Sequence, residues 1–157
     1  MEESATDMKP IFDTKSTRIA LVMLLILFFP ISVVHEIGHI IICVNSGSSY
    51  ESHFNVLELG IMCTPLPKTV LLYWAFGGIL GMLVSLCPIL ALNWMRNHKG
   101  VMIGLFSLAS MQGVNAFIET FAHTWYIQGG TLPSIMFTLV GLAFLFVFLN
   151  FFARVRR

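Results

Sequence analysis

The sequence contains little charge. Only 11% of its 157 residues are Asp, Glu, Lys or Arg, against about 25% in an average soluble domain. Hydrophobic residues make up 57% of the chain, and the mean hydropathy is +0.84. So few charged side chains cannot cover the surface of a soluble globule. The composition therefore excludes that class and predicts a protein embedded in a lipid bilayer.

Blocks of like charge are also absent. Nine Lys and Arg against eight Asp and Glu give a net charge of +1, and no basic run is long enough to bind a series of phosphates. This argues against nucleic-acid binding. The three cysteines, Cys43, Cys63 and Cys87, form neither a CxxC pair nor an even-numbered framework. Two of them lie in apolar runs, where cysteine packs as a small hydrophobic residue, so we expect them to report no redox compartment.

Long apolar runs, by contrast, are abundant. Four of them reach the length of about 20 residues that a helix needs to cross a bilayer. They predict an all-α membrane protein with one four-helix domain, 19–153, a polar N-terminal tail, 1–18, and a basic C-terminal end, 154–157. The predicted helices are 19–44, 70–92, 101–125 and 132–152.

The basic residues are distributed unevenly along this pattern. Eight lie on one side of the predicted bundle and only Lys68 lies on the other. Lys and Arg in short flanking segments are retained in the cytoplasm, so the pattern predicts a multi-pass protein with both termini cytoplasmic. The eight residues are Lys9, Lys15, Arg18, Arg96, Lys99, Arg154, Arg156 and Arg157.

The connection between the first two helices, 45–69, is the one long polar segment between helices. Residues 53–61 nearly alternate between apolar and polar, with a break at Leu57, which is typical of a half-buried strand. We predict a short strand or hairpin there. His53 and Glu58 within it are expected to be solvated side chains.

The first predicted helix carries an HExxH motif, His35-Glu36-Ile37-Gly38-His39, among aliphatic residues. Helix residues four apart share one face about 6 Å apart, so His35 and His39 can bind one zinc ion. Glu36 points about 100° round the helix and can reach a water molecule at the metal, as a general base must. Ionisable groups inside a bilayer cost about 2.5–3.5 kcal/mol each, which favours a metal site over a packed polar patch.

A catalytic zinc site needs a third protein ligand. Glu119 is the only acidic residue of the predicted helices besides Glu36. It follows Lys99 by 20 residues, which places it near the depth of His35. We predict Glu119 as the third ligand, with His123 as a rival ligand or as a partner that orients Glu119. Snorkelling of both side chains to water stays open as the alternative.

These features resemble the site-2 protease family of intramembrane zinc metalloproteases. The HEIGH run at 35–39 is similar to the family's HExGH signature, and the connection 45–69 resembles the family's segment between the first two core helices. The run Phe76–Met82 resembles a glycine-rich stretch on the family's second helix. The resemblance covers residues 19–125 and implies a three-helix core with zinc-dependent peptidase activity.

The chain departs from the family in three respects. The family's Pro and Asn are absent from the glycine-rich stretch, and the charge distribution places the motif near the outer side of the membrane, whereas familiar members have theirs near the cytosol. The third departure concerns the third ligand. The family usually supplies an Asp from its third core helix, whereas this chain has no Asp after Asp13. Asn115 and Glu119 stand in the corresponding region. Glu119 is therefore assigned by position and chemistry.

The sequence thus predicts an intramembrane zinc metalloprotease that hydrolyses transmembrane proteins or peptides in the bilayer. His35, His39 and Glu119 bind Zn2+, and Glu36 activates water; no substrate-binding residue is predicted. The shortness of the chain and the missing Asp motif keep a second hypothesis open. In it, the chain is a small non-catalytic subunit or assembly factor of a larger membrane complex, with a structural or vestigial metal site.

Overall fold

The computed structural model describes residues 13–55, 58–92, 97–128 and 132–154. Within these ranges, four helices are long and apolar enough to cross a membrane, and an antiparallel hairpin lies between the first two of them. The predicted fold class is confirmed, and the chain is a multi-pass membrane protein. The elements in chain order are α1 (Thr14–Asn45), β1 (Ser49–Asn55), β2 (Glu58–Thr64), α2 (Val70–Ala91), α3 (Lys99–Phe121), α4 (His123–Gln128) and α5 (Leu132–Arg154).

Helix α1 begins at Thr14, earlier than the predicted start at residue 19. Asp13 caps it, because its carboxylate accepts hydrogen bonds from the Lys15 amide at 3.1 Å and the Ser16 hydroxyl at 2.6 Å. The Ser16 bond is the main reason that the pKa of Asp13 lies below its usual value. Residues 14–18, which the sequence analysis assigned to the polar tail, are therefore helical. The rest of that tail, 1–12, lies outside the described residues.

The prediction of a third helix over 101–125 was wrong at its end. Helix α3 ends at Phe121, because Ala122 adopts φ −128° and ψ 30°, outside the helical region. The short helix α4 then starts at His123. No proline or glycine marks this break, and the face of α3 does not continue into α4. The ends of α2 and α5 differ from the prediction by no more than two residues.

The connection after α1 forms the predicted hairpin. Strands β1 and β2 pair in an antiparallel register from Ser49 opposite Thr64 to Asn55 opposite Glu58. The break in the alternation at Leu57 falls between the two strands, outside the described residues. The predicted strand over 53–61 therefore spans parts of both strands.

A disulfide joins Cys43 near the end of α1 to Cys63 on β2. The two Cα atoms lie 5.7 Å apart, a separation typical of a disulfide, and both residues are buried. The sequence analysis expected Cys43, in an apolar run, to pack as a small hydrophobic residue; that expectation was wrong, because Cys43 is bonded to Cys63. The hairpin folds back onto α1 and brings together two residues 20 positions apart in the chain.

Helix α2 packs closely between α1 and α3 through glycines, as the small residues of its sequence predict. A Cβ added at Gly78 would lie 2.6 Å from the backbone nitrogen of Ala116 on α3. A Cβ at Gly38 of α1 would lie 2.8 Å from the Cα of Gly77. Only glycine permits such approaches, so α2 draws α1 and α3 together around one point.

The two ends of the bundle are defined by contacts between helix termini. The Lys99 ammonium donates to the carbonyl of Phe152 at 2.6 Å, and a Cβ at Gly100 would lie 2.6 Å from the carbonyl oxygen of Ser16. The starts of α1 and α3 and the end of α5 therefore meet; we call this the basic end. The opposite end, which carries β1 and β2, is the hairpin end. An apolar core fills the part toward the basic end, formed by Ala20, Leu24, Ile103, Leu108, Met111 and Leu145.

Candidate metal centre

The HExxH residues lie on α1 toward the hairpin end and face the interior of the bundle. Only 3% of His35 and 4% of His39 is exposed, and Glu36 is 9% exposed. The remaining residues of the motif differ from each other: Gly38 contacts α2, while Ile37 is exposed on the outer face. The motif is therefore presented to α2 and α3 rather than to lipid.

Glu119 on α3 meets the two histidines. Its Oε1 atom lies 3.1 Å from Nε2 of His35, and its Oε2 atom lies 3.5 Å from Nε2 of His39. The two histidine Nε2 atoms are 3.1 Å apart. Glu119 is only 1% exposed. The structure thus brings together the three residues that the sequence analysis proposed as ligands, and this group could hold a metal ion.

The other ring nitrogen of each histidine has a carbonyl oxygen as its partner. Nδ1 of His39 donates to the backbone carbonyl of Tyr73 at 2.9 Å, and Nδ1 of His35 donates to Oε1 of Gln112 at 2.9 Å. Carbonyl oxygens only accept hydrogen bonds. When neutral, each ring therefore carries its proton on Nδ1, which leaves its Nε2 lone pair directed at the centre. The Asn115 amide nitrogen also lies 3.4 Å from Nε2 of His35.

This arrangement concentrates electron-pair donors in a buried space. Two Nε2 lone pairs and a carboxylate lie within 3.5 Å of one another, so they repel each other unless a cation lies between them. A proton can join two of these atoms, whereas a metal ion can join all three. Glu119 Oε2 is in addition one of two buried side-chain oxygens without a hydrogen-bond partner among the described residues; the other is Asn115 Oδ1.

The separations of the three donors fit a tetrahedral metal. Ligand atoms bound at 2.0–2.1 Å to one zinc ion at a tetrahedral angle lie about 3.3 Å apart. Nε2 of His35 lies 3.1 Å from Nε2 of His39 and 3.1 Å from Oε1 of Glu119, and Nε2 of His39 lies 3.5 Å from the other carboxylate oxygen, Oε2. These separations are close to that spacing, and the three side chains could hold a metal ion. Histidine nitrogen and carboxylate oxygen are ligands that zinc uses in catalytic sites.

Gly77 of α2 forms one wall of the site, next to the two histidine rings. A Cβ added there would lie 2.5 Å from Nε2 of His39 and 2.9 Å from Nε2 of His35. Any side chain at this position would thus intrude on the nitrogen atoms that face the centre. The glycine-rich stretch thus packs α2 against its neighbours and also shapes the candidate metal centre.

Strand β2 covers the side of the site on which Glu36 lies. The Glu36 carboxylate accepts a hydrogen bond from the backbone amide of Ile61. The carbonyl of the same residue accepts a hydrogen bond from the Tyr73 hydroxyl at 2.6 Å, and that hydroxyl also accepts from the Cys63 amide. Glu36 and Tyr73 therefore hold the edge of β2 that faces the helices, and the disulfide of Cys63 fixes the same strand to α1.

His123, the rival third ligand, does not belong to this group. It lies on α4, is exposed, and stacks on Trp74 with the ring centroids 5.7 Å apart. The break at Ala122 explains the difference, because residues 119 and 123 would share a face only in a continuous helix. His53 is exposed on β1 as expected, and the side chain of Glu58 lies outside the described part. Cys43 is bonded to Cys63 in the disulfide and does not belong to the donor group.

Two residues of the site were not assigned a role from the sequence. Gln112 lies seven residues before Glu119, two helical turns along the same face of α3, and a buried amide in an apolar helix is a usable signal. Tyr73 contributes its backbone carbonyl and its hydroxyl. Its hydroxyl could have been noticed as a polar group at the start of an apolar run, but a backbone carbonyl has no sequence signal.

Comparisons with protein-family models, with curated proteins and with solved structures find no match to this chain. The function is therefore inferred from the site itself.

Proposed function

We propose that this chain is an intramembrane zinc metalloprotease that hydrolyses peptide bonds of membrane-embedded substrates. One observation carries the proposal: the Nε2 atoms of His35 and His39 and the carboxylate of Glu119 converge within 3.5 Å of one another, and a fourth residue, Glu36, is next to them without joining them. This is the division of roles in an HExxH site, in which two histidines bind the metal and the glutamate handles protons.

The site divides the work among its residues. When bound, zinc would polarise the scissile carbonyl and make water a better nucleophile. His35, His39 and Glu119 would hold the ion, and Gln112 and Tyr73 fix the two rings in the orientation and tautomer that binding requires.

Glu36 is the proposed general base and acid. Its carboxylate takes one proton from the attacking water as the oxygen bonds to the carbonyl carbon, and returns it to the amide nitrogen as the C–N bond breaks. The immediate products are a carboxylic acid and an amine, and the acid proton then passes to the amine to give a carboxylate and an ammonium group, so both hydrogens of the water molecule are accounted for. Burial of Glu36 beneath β2 keeps this proton from the surrounding solvent.

Substrate binding requires local unwinding, because the peptide bonds of a transmembrane helix are already hydrogen-bonded. An unwound segment can pair with the edge of a sheet. At Ile61 and Cys63 the edge of β2 is engaged by Glu36 and Tyr73. The outer edge of β1 is therefore the better place for a substrate strand, since Glu51, Ser52 and His53 are exposed there.

The test separates zinc binding from catalysis. The full-length protein is purified in detergent, its bound zinc is measured, and cleavage of a single-span helical reporter is followed. We expect about one zinc per chain, and we expect Glu36→Gln to retain zinc while losing at least ~100-fold in cleavage, the lower range for loss of a general base. Lys15→Gln, which replaces an exposed charge by an amide at the basic end of the bundle, is the control and should cleave normally.

Two outcomes would contradict the proposal. Wild-type protein that binds no zinc would remove the metal centre, and Glu36→Gln protein that cleaves at the wild-type rate would remove the catalytic role of Glu36. Zinc binding without any cleavage, together with stoichiometric co-purification of other membrane proteins, would instead support a non-catalytic subunit with a structural metal site.

A further inference from the structure

The two ends of the bundle carry different chemistry. Eight of the nine basic residues belong to the basic end or to segments adjoining it in sequence. The hairpin end has Lys68 alone among basic residues, and it has the disulfide between Cys43 and Cys63. These two features arise from unrelated causes, namely membrane insertion and thiol oxidation.

Both features indicate the same orientation of the bundle in the membrane. Segments rich in Lys and Arg stay in the cytosol during insertion, which places the basic end there. Disulfides form and persist in oxidising compartments and are rare in the cytosol, which places the hairpin end on the opposite side. A hairpin in the cytosol would disagree with the charge distribution and with the bonded cysteines at once.

The metal centre lies close to the hairpin end. His39 is six residues before the last residue of α1, about 9 Å at 1.5 Å per residue. Glu119 is two residues before the last residue of α3, about 3 Å, whereas about 30 Å of helix separate it from Lys99. Since the hydrocarbon core of a bilayer is about 30 Å thick, the centre lies in the outer part of the membrane on the side of the disulfide.

We propose that the site opens to the oxidising, non-cytosolic side of the membrane and takes transmembrane segments at peptide bonds within about two helical turns of their non-cytosolic end. The cleavage part of this inference rests on the proposed function. The product released by such a cut is the portion of the substrate outside the cytosol, while most of its transmembrane helix stays in the bilayer.

The depth of the centre explains this substrate class. A peptide bond near the non-cytosolic end reaches the site after only the last turns of the substrate helix unwind, and the freed backbone groups meet water or the edge of β1. A bond near the cytosolic end would have to be moved through most of the bilayer, with unwound polar backbone exposed to lipid on the way.

Orientation is tested by labelling in intact cells with a membrane-impermeant maleimide. All variants carry Cys87→Ser, because Cys87 is a free, exposed thiol. Ser52→Cys places a thiol on the exposed face of the hairpin, and Lys15→Cys is the matched control at the basic end. We expect Ser52→Cys to be labelled before permeabilisation and Lys15→Cys only afterwards. The reverse pattern would overturn the proposal.

The disulfide is tested in the same cells. Free thiols are trapped by acid and blocked, the protein is reduced, and newly exposed thiols are tagged with a polymer-bearing maleimide. Cys43 and Cys63 should add two tags only after reduction. If Cys43 and Cys63 are instead blocked before reduction and add no tags, both are free thiols in a reducing environment, which contradicts the assignment.

The position of the cut is read by mass spectrometry of the products of a single-span reporter. A cut in the non-cytosolic two turns supports the substrate class, and a cut in the cytosolic half overturns it while leaving the protease itself standing. If Ser52→Cys is labelled from outside and no reporter is cut, the proposed function fails and the substrate class falls with it, whereas the orientation holds.

Discussion

The two ends of the bundle bury side chains of opposite character. Toward the basic end, α1, α3 and α5 meet in a cluster of apolar side chains, whereas toward the hairpin end α1 and α3 bury His35, His39, Gln112, Asn115 and Glu119. Apolar side chains gain little by leaving lipid, so the first cluster is held by close packing. Buried ionisable groups are expensive in a membrane. Their concentration at one end marks the part of the fold on which the proposed function rests.

The largest expected effect is the loss of zinc when a ligand is removed. His35→Ala or Glu119→Ala leaves two protein ligands, too few for a catalytic zinc site, and we expect zinc in the purified protein to fall from about one per chain to near zero. Metal analysis after dialysis against a weak chelator measures this.

His123→Ala is the control for these two variants. It removes an imidazole of the same region that stacks on Trp74 and lies outside the donor group, so its zinc content should equal that of the wild type. Equal zinc in His35→Ala and the wild type, or loss of zinc in His123→Ala, would show that the ligands are assigned to the wrong residues.

The second prediction concerns the apolar end. Leu108 is fully buried in the core cluster, and Leu108→Ala should reduce the free energy of unfolding by about 2–5 kcal/mol, as for other buried leucines. Zinc bound per folded chain should not change, because Leu108 is remote from the donors. Thermal unfolding in detergent with metal analysis measures both quantities.

Leu83→Ala is the control, because Leu83 is exposed to lipid. It should change the free energy of unfolding by less than about 0.5 kcal/mol. Comparable losses in both variants would show that burial does not decide the effect.

The chemistry of the hairpin end could be largely anticipated from the sequence because it depends on local spacing. His35 and His39 are one turn apart on a single helix, and Glu119 was found because acidic residues are so rare in the apolar runs. The number of transmembrane helices and the hairpin followed in the same way from run length and alternation.

The remaining features depend on contacts between distant parts of the chain. The disulfide requires the hairpin to fold back onto α1, and the partners of His39 and Glu36 are backbone groups of Tyr73 and Ile61, which every residue possesses. The end of α3 at Ala122 lacks a proline or glycine signal. Sequence patterns carry little information on such contacts.

The third prediction tests the contact between α2 and the two histidines of the candidate metal centre. In Gly77→Ala the new Cβ would lie within 3 Å of both Nε2 atoms, so either α2 or the rings must shift. We expect a destabilisation of about 1–3 kcal/mol, the usual range for overpacking, together with weaker zinc binding although every ligand is present. Gly113→Ala is the matched control, since its Cβ would meet only the flexible Met82 sulfur at 3.4 Å. Similar behaviour of the two variants would remove Gly77 from the site.

The smallest expected effect is that of Gln112→Ala, which leaves all three ligands and removes only the acceptor of the His35 Nδ1 proton. Without this acceptor the His35 ring can rotate or change tautomer, so that its Nε2 lone pair is directed at the centre for only part of the time. Loss of such a partner typically weakens metal affinity by roughly 10–100-fold, and competition with a chelator of known affinity measures it.

Ser107→Ala is the control. It removes a buried hydroxyl of the same helix that donates to the Ile103 carbonyl, and its zinc affinity should stay within about twofold of the wild type. An unchanged affinity in Gln112→Ala would mean that packing alone orients His35. The polar character of the hairpin end would then matter for zinc binding only through the ligands, and not through the hydrogen bonds around them.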